Sequence, residues 1–181
     1  MKHILVHLIQ GEAKRAHEAI TADLAEKFDS FPLHERIPPH LTLKRWFEPD
    51  QKMLATLDGV LSKFASDHEQ SDYSLKGFGH FGADVIYVDV DPAPEVSQTV
   101  RELMQALRDV EGMTFDEFDE EEDDLHATVA MGALKPFDFD KLWEYLNSGE
   151  QPNFAMKFDN IALMRREEDK WEVVKIWKLK P

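Results

Sequence analysis

The sequence predicts an α+β fold: a bilobal, pseudo-two-fold duplicated domain, residues 1–181, whose two mainly antiparallel sheets face a central cleft with helices on the outer faces. Three observations carry this expectation. The phrase His-apolar-Thr-apolar occurs twice, as His40-Leu41-Thr42-Leu43 and His126-Ala127-Thr128-Val129, 86 positions apart. Each copy sits in the same order of elements: strand, helix, loop, motif strand, helix, strand. The C-terminal segments alternate in polarity and read as a hairpin. Strands joined by hairpins, with helices kept to outer faces, suit antiparallel sheets. Identity between the halves is poor beyond the motif, so the repeat is one of architecture.

Each element has a local reason. Residues 4–9 are apolar and β-leaning, and Gly11 closes them. From Glu12 to Phe28, Ala16, Ala19, Ile20, Ala22, Leu24 and Phe28 fall at helical spacing. Pro38-Pro39 then forces the chain to emerge extended, and residues 40–47 form the first motif strand. Strict alternation there places His40, Thr42, Lys44 and Trp46 on one face, with Leu41, Leu43, Arg45 and Phe47 on the other. Met53, Leu54, Leu57, Val60, Leu61 and Phe64 define a second helix. A strand over Tyr73–Phe78 leads to a glycine-rich turn with Gly77, Gly79 and Gly82, then to the clearest strand, Val85–Val90. Val96, Val100, Leu103, Met104 and Leu107 give a third helix, ending near Val110. An acidic stretch from Asp116 to Asp124 precedes the second motif strand, residues 125–131. A fourth helix carries Phe139, Leu142, Trp143 and Leu146. Residues 154–164 alternate as one long strand, and Trp171–Leu179 alternate again after a charged turn.

The composition sets limits on function. A 43% hydrophobic fraction with 12 Phe and 4 Trp supports a real core. The net charge of −15 disfavours broad binding to a phosphate backbone but leaves room for a pocket holding one phosphate. The absence of cysteine excludes disulfides, thiolate nucleophiles and Cys-ligated zinc. No apolar run approaches the roughly 20 residues that cross a bilayer, and the N-terminus lacks a signal h-region. The expectation is a soluble cytoplasmic protein, a monomer, with no membrane partner.

Within each motif strand, His and Thr share a face. Two such strands across a cleft present two imidazoles and two hydroxyls to one space. With an unperturbed pKa near 6.5, one neutral imidazole accepts a proton from attacking water and one imidazolium donates to a leaving alkoxide. The threonine hydroxyls suit the non-bridging oxygens of phosphorus, where charge builds up, and Lys44 adds positive charge. The scheme requires no metal and no cofactor. Taken singly, an H-x-T phrase is better explained by β-propensity and a half-buried imidazole bonded to backbone; the recurrence in matching contexts favours the chemical reading.

Pro39-His40-Leu41-Thr42-Leu43 and Leu125-His126-Ala127-Thr128-Val129, with Gly77-Phe78-Gly79-His80-Phe81 before a strand, resemble the signatures of the 2H phosphoesterase superfamily. Its members include proteins called 2′-5′ RNA ligases or RNA 2′,3′-cyclic phosphodiesterases. The resemblance implies a bilobal fold and hydrolysis or transfer at a 2′,3′-cyclic phosphate, with His40 and His126 the acid/base pair and Thr42 and Thr128 the phosphate ligands. A ligase-like activity on 2′-5′ linkages, or a non-catalytic phospholigand-binding module, are the alternatives. The acidic stretch before the second motif points to a small nucleotide or an RNA-terminal cyclic phosphate as partner, not a long duplex.

Other residues have bland readings beside functional ones. His3, His7 and His80 are expected to be structural or at the surface, and His17, His34 and His68 to be solvent-exposed. Tyr87 and Trp46 offer faces on which a base stacks, or serve the core. The Asp116–Asp124 run lacks the spacing and glycine of a calcium loop and reads as a solvated loop.

Overall fold

A computed structural model describes residues 1–116, 119 and 124–181. Its order is β1 (His3–Leu8), α1 (Gly11–Phe28), α2 (Leu33–Arg36), β2 (His40–Phe47), α3 (Gln51–Asp67), β3 (Ser71–Phe81), β4 (Val85–Pro92), α4 (Pro94–Arg108), β5 (His126–Met131), α5 (Phe139–Ser148), β6 (Asn153–Phe158), β7 (Asn160–Glu167) and β8 (Lys170–Lys178). The strands form two four-stranded sheets, β2-β1-β7-β8 and β5-β4-β3-β6. All pairings between these strands are antiparallel. The motif strands β2 and β5 are the edge strands of their respective sheets, and they lie beside one another in space.

Two features of the architecture differ from simple duplication. The strand that completes the first repeat, β3, pairs with β4 and β6, so it belongs to the second motif's sheet. The long strand expected over 154–164 is two strands in different sheets, broken at Asp159. Asn160 makes this corner possible. Its buried side chain accepts from the Leu8 amide at 2.9 Å and donates to the Leu8 carbonyl at 3.1 Å, replacing ladder bonds that the sheet switch removes. The C-terminal hairpin of β7 and β8 is present as read, with Glu168 in the left-handed region at its turn.

Most apolar side chains form one core spanning both sheets. Leu5, Leu41, Leu43, Ile161 and Leu163 contribute from the first sheet, and Leu75, Ile86, Val88, Val90, Ala127 and Val129 from the second. α3 and α4 cover this core and pack on one another. α3 buries Met53, Leu57, Leu61 and Phe64 and is capped by Asp50, whose carboxylate accepts from the Met53 amide at 2.8 Å. α4 buries Val96, Val100, Leu103, Met104 and Leu107 after entering on Pro94. On the other face of the first sheet, Ile4, Val6, Leu8, Ala162 and Met164 form a smaller cluster with Ile37 and Trp171. No helix among the described residues is long and apolar enough to cross a membrane.

β3 runs on to Phe81, through Gly77 and Gly79, both expected in a turn; Gly82 lies in the turn that follows. Gly79 faces Tyr87 across the ladder, and a Cβ at Gly79 would stand 2.4 Å from the Tyr87 ring. The glycine is the space into which that ring folds.

Candidate active site

The register of each sheet places the motif side chains. In the first, Thr42 pairs with Val6 and His40 with Leu8, so His40 and Thr42 share the face of the smaller apolar cluster. In the second, His126 pairs with Asp89 and Thr128 with Tyr87. Leu41, Leu43, Ala127 and Val129 point into the main core, as the alternation requires.

The two histidines are held in the same way. His40 donates Nδ1–H to the Pro38 carbonyl at 2.8 Å, and His126 donates Nδ1–H to the Asp124 carbonyl at 2.6 Å. In each case the acceptor lies two residues upstream. A carbonyl only accepts, so Nδ1 carries the proton, and Nε2 of each ring is left as the nitrogen available for proton transfer. The Thr42 and Thr128 side chains are half-buried and make no hydrogen bond among the described residues.

The electrostatics of the pair are asymmetric. Burial, chiefly, pushes His40 down to about 4; the Pro38 carbonyl opposes this, while His17 and His126, within electrostatic reach, add to it. His126 is also lowered by burial, but the carbonyl and the carboxylate charge of Asp124 both favour its protonated form. His126 is therefore the first of the pair to take a proton. Around it lie Phe81, with ring centroids 4.9 Å away, and Tyr87, at 5.1 Å. Phe81 is 38% exposed and Tyr87 half-buried, so the two aromatic faces flank His126 at an open site. Asp89, Asp91 and Asp124 are exposed on or beside the same strands.

Lys44 is not where alternation places it. β2 pairs Thr42 with Val6 but Lys44 with Leu5, so Leu43 is an extra residue, and a bulge turns Lys44 to the interior. Its ammonium donates to Asp119 at 2.8 Å, and both side chains are 1% exposed. Asp119 also accepts from the amides of Arg45, at 3.1 Å, and Asp116, at 2.9 Å. Lys44 thus ties the segment before the second motif to the first motif strand and is committed to that carboxylate, not to a substrate phosphate. Trp46 lies toward the far end of β2 from His40. It is 50% exposed, with the Lys2 ammonium 4.1 Å from its ring centroid.

His17 is the second correction, and sequence reasoning missed it. Instead of facing solvent it is 8% exposed, and its Nε2–H donates to the Thr128 carbonyl at 2.9 Å. The buried stripe of α1 is Ala13, His17, Thr21 and Leu24, rotated from the one read along the helix. The i, i+4, i+8 spacing of Ala13, His17 and Thr21 was the available signal. His34 and His68 are half-buried; His68 stacks on Phe64 and reaches Glu102 at 2.7 Å. His3 and His7 are buried. His7 donates to the Asn160 carbonyl and accepts from the Tyr73 hydroxyl, both at 3.0 Å, joining β1 of one sheet to β3 of the other. His80 is exposed and packs on Trp143 and Phe139. Among the described residues no three His, Asp or Glu are arranged to hold a metal ion; of the acidic stretch, Glu117 and Glu120 to Asp123 lie outside the described residues.

The family model described as the 2′-5′ RNA ligase superfamily matches residues 10–170. No curated protein matches the sequence. Among solved structures, the chain is similar to TT0787 of Thermus thermophilus, at 16% identity and a TM-score of 0.69 over 99% of this chain and 98% of that one. A protein described as a phosphoesterase follows at 13% identity and a TM-score of 0.65, over the same shares. E. coli LigT complexed with 3′-AMP aligns at 16% identity and a TM-score of 0.60, again over 99% and 98%. At such identities these likenesses establish the fold.

Proposed function

The chain belongs to the 2′-5′ RNA ligase superfamily of 2H phosphoesterases, and we propose that it is a metal-independent hydrolase of 2′,3′-cyclic phosphates on nucleotides or RNA ends. The observation that carries this reading is the matched pair of imidazoles, each with Nδ1–H tied to the carbonyl two residues upstream and Nε2 left for proton transfer. In-line hydrolysis needs one group to take a proton and one to give it. Singly protonated, the pair carries its proton on His126, beside Asp124. His40 Nε2 then removes a proton from water as its oxygen bonds to phosphorus. The bond from phosphorus to one ribose oxygen breaks, and His126 Nε2–H protonates that oxygen. Exchange with solvent returns the proton from His40 to His126. The Thr42 and Thr128 hydroxyls donate to the non-bridging oxygens and stabilise charge developing there.

The substrate class is supported by the surroundings. Phe81 and Tyr87 beside His126 provide apolar faces for a base or ribose. The exposed carboxylates of Asp89, Asp91 and Asp124 disfavour a chain of further phosphates, so a mononucleotide or a terminal phosphate fits better than a long nucleic acid. The bound 3′-AMP of E. coli LigT is consistent with a site of that size.

The test is phosphorus NMR of 2′,3′-cyclic nucleotides incubated with the protein in EDTA. The expected result is conversion to a single monophosphate isomer. Nucleotide binding without turnover would replace the proposal with a phospholigand-binding module, and joining of RNA ends in place of hydrolysis would replace it with a ligase.

A further inference from the structure

The geometry points to His17 of α1 as a positioning residue of the two-histidine site, one that holds the second motif strand in place through the Thr128 carbonyl. This rests on the reading of His40 and His126 as the proton-transfer pair. β5 is an edge strand, and the His17 Nε2–H donates to the backbone of the motif threonine at 2.9 Å. The same imidazole lies within electrostatic reach of His40, on the other motif strand.

Packing alone does not account for a histidine here. Because Nε2 carries the proton, Nδ1 is an acceptor, and it is buried with no partner among the described residues. An unpaired buried acceptor destabilises a fold, and an apolar side chain on the Ala13–His17–Thr21–Leu24 stripe would avoid that cost. A glutamine amide would supply the same donor to Thr128 without a titrating ring. The groups that bear on His40 are the Pro38 carbonyl, His17 from α1 and His126 from β5. Burial keeps His17 neutral at pH 7, so it does not itself compete for the proton.

The test compares His17→Leu and His17→Gln in the full chain, with thermal unfolding to establish that each is folded. Leu removes the donor and the ring; Gln keeps the donor and removes the ring. Misplacing a reacting group by an ångström lowers turnover by up to about a hundredfold, so His17→Leu is expected to lose at least about tenfold in kcat with little change in KM. His17→Gln is expected to recover most of that loss. Nitrogen-15 NMR, which needs no turnover, reads the contact directly: the Val129 amide, which reports on the Thr128 carbonyl, should shift in Leu and stay close to the parent in Gln.

Equal loss of kcat in folded Leu and Gln variants overturns the inference, as does a Val129 amide unmoved in Leu. If Leu does not fold, the Gln variant alone decides: a kcat well below the parent's in the folded Gln variant overturns the inference. Absence of turnover by the parent protein strikes at the hydrolase reading instead, and leaves the NMR comparison to judge His17.

Discussion

Replacing Lys44 by methionine separates two roles for this residue that the sequence alone runs together. In the structure its ammonium and the Asp119 carboxylate are both 1% exposed and 2.8 Å apart. Methionine fills a similar volume but leaves Asp119 buried, with the Arg45 and Asp116 amides as its remaining donors among the described residues. Breaking one side of a buried ion pair typically costs about 3–5 kcal/mol, because the remaining charge is uncompensated. For a chain of this size that corresponds to a fall in Tm of about 6–20 °C. Lys44→Met with Asp119→Asn is expected to recover part of the loss, since the amide oxygen still accepts from one of the two backbone amides and no charge is stranded. Urea unfolding of the two single variants and the double variant measures the coupling. KM for a cyclic nucleotide, measured where Lys44→Met is still folded, should stay within about threefold, since no ammonium is withdrawn from the phosphate. A stability change below about 1 kcal/mol together with a large rise in KM would refute the buried-pair assignment and return Lys44 to the phosphate site.

Other perturbations have equally definite outcomes. His7, His17 and His40 are each lowered from 6.5 to about 4 by burial. The unfolded chain therefore binds more protons than the fold between those values, and stability is complete above about pH 6.5 and lost as pH falls toward 4, by about 3 kcal/mol per imidazole; urea titrations across this window should show the loss, and His7→Gln should flatten it. Asn160→Ala leaves the buried Leu8 amide and carbonyl without their partners and should cost about 2–4 kcal/mol by urea unfolding. Gly79→Ala drives the Tyr87 ring from the position in which it rests beside His126, and should lower kcat/KM on nucleotide substrates by about tenfold while the fold persists; unchanged kinetics would remove Tyr87 from the account.

Much of the fold was legible because its signals are local. The alternation of β4, the helical spacing of α3 and α4, and the H-x-T recurrence each lie within a short window, and they marked both sheets and both motif strands. What escaped depends on partners distant in sequence. The bulge at Leu43 is set by pairing with β1, and it reverses the face of Lys44 without any change in the polarity pattern around it. The break at Asp159 is invisible in residues 154–164, because both halves alternate; only the assignment of β6 and β7 to different sheets requires it. His17 was misplaced because α1 is rich in alanine, which fits either face of a helix, so several stripes were equally apolar. The His-Thr phrases, by contrast, keep a strict two-residue period up to the bulge, so the register places both pairs of site residues as the strand pattern required.

The central claim, that His40 and His126 divide a proton transfer between them, is tested most directly by kcat on a 2′,3′-cyclic nucleotide for His40→Ala, His126→Ala and the double variant, each checked for folding by circular dichroism. Loss of a positioned acid or base lowers rates by about 10²–10⁴. Each single variant should fall by that factor, and the double variant should fall little further, because the two groups act in one step. Full activity in either single variant would contradict the account.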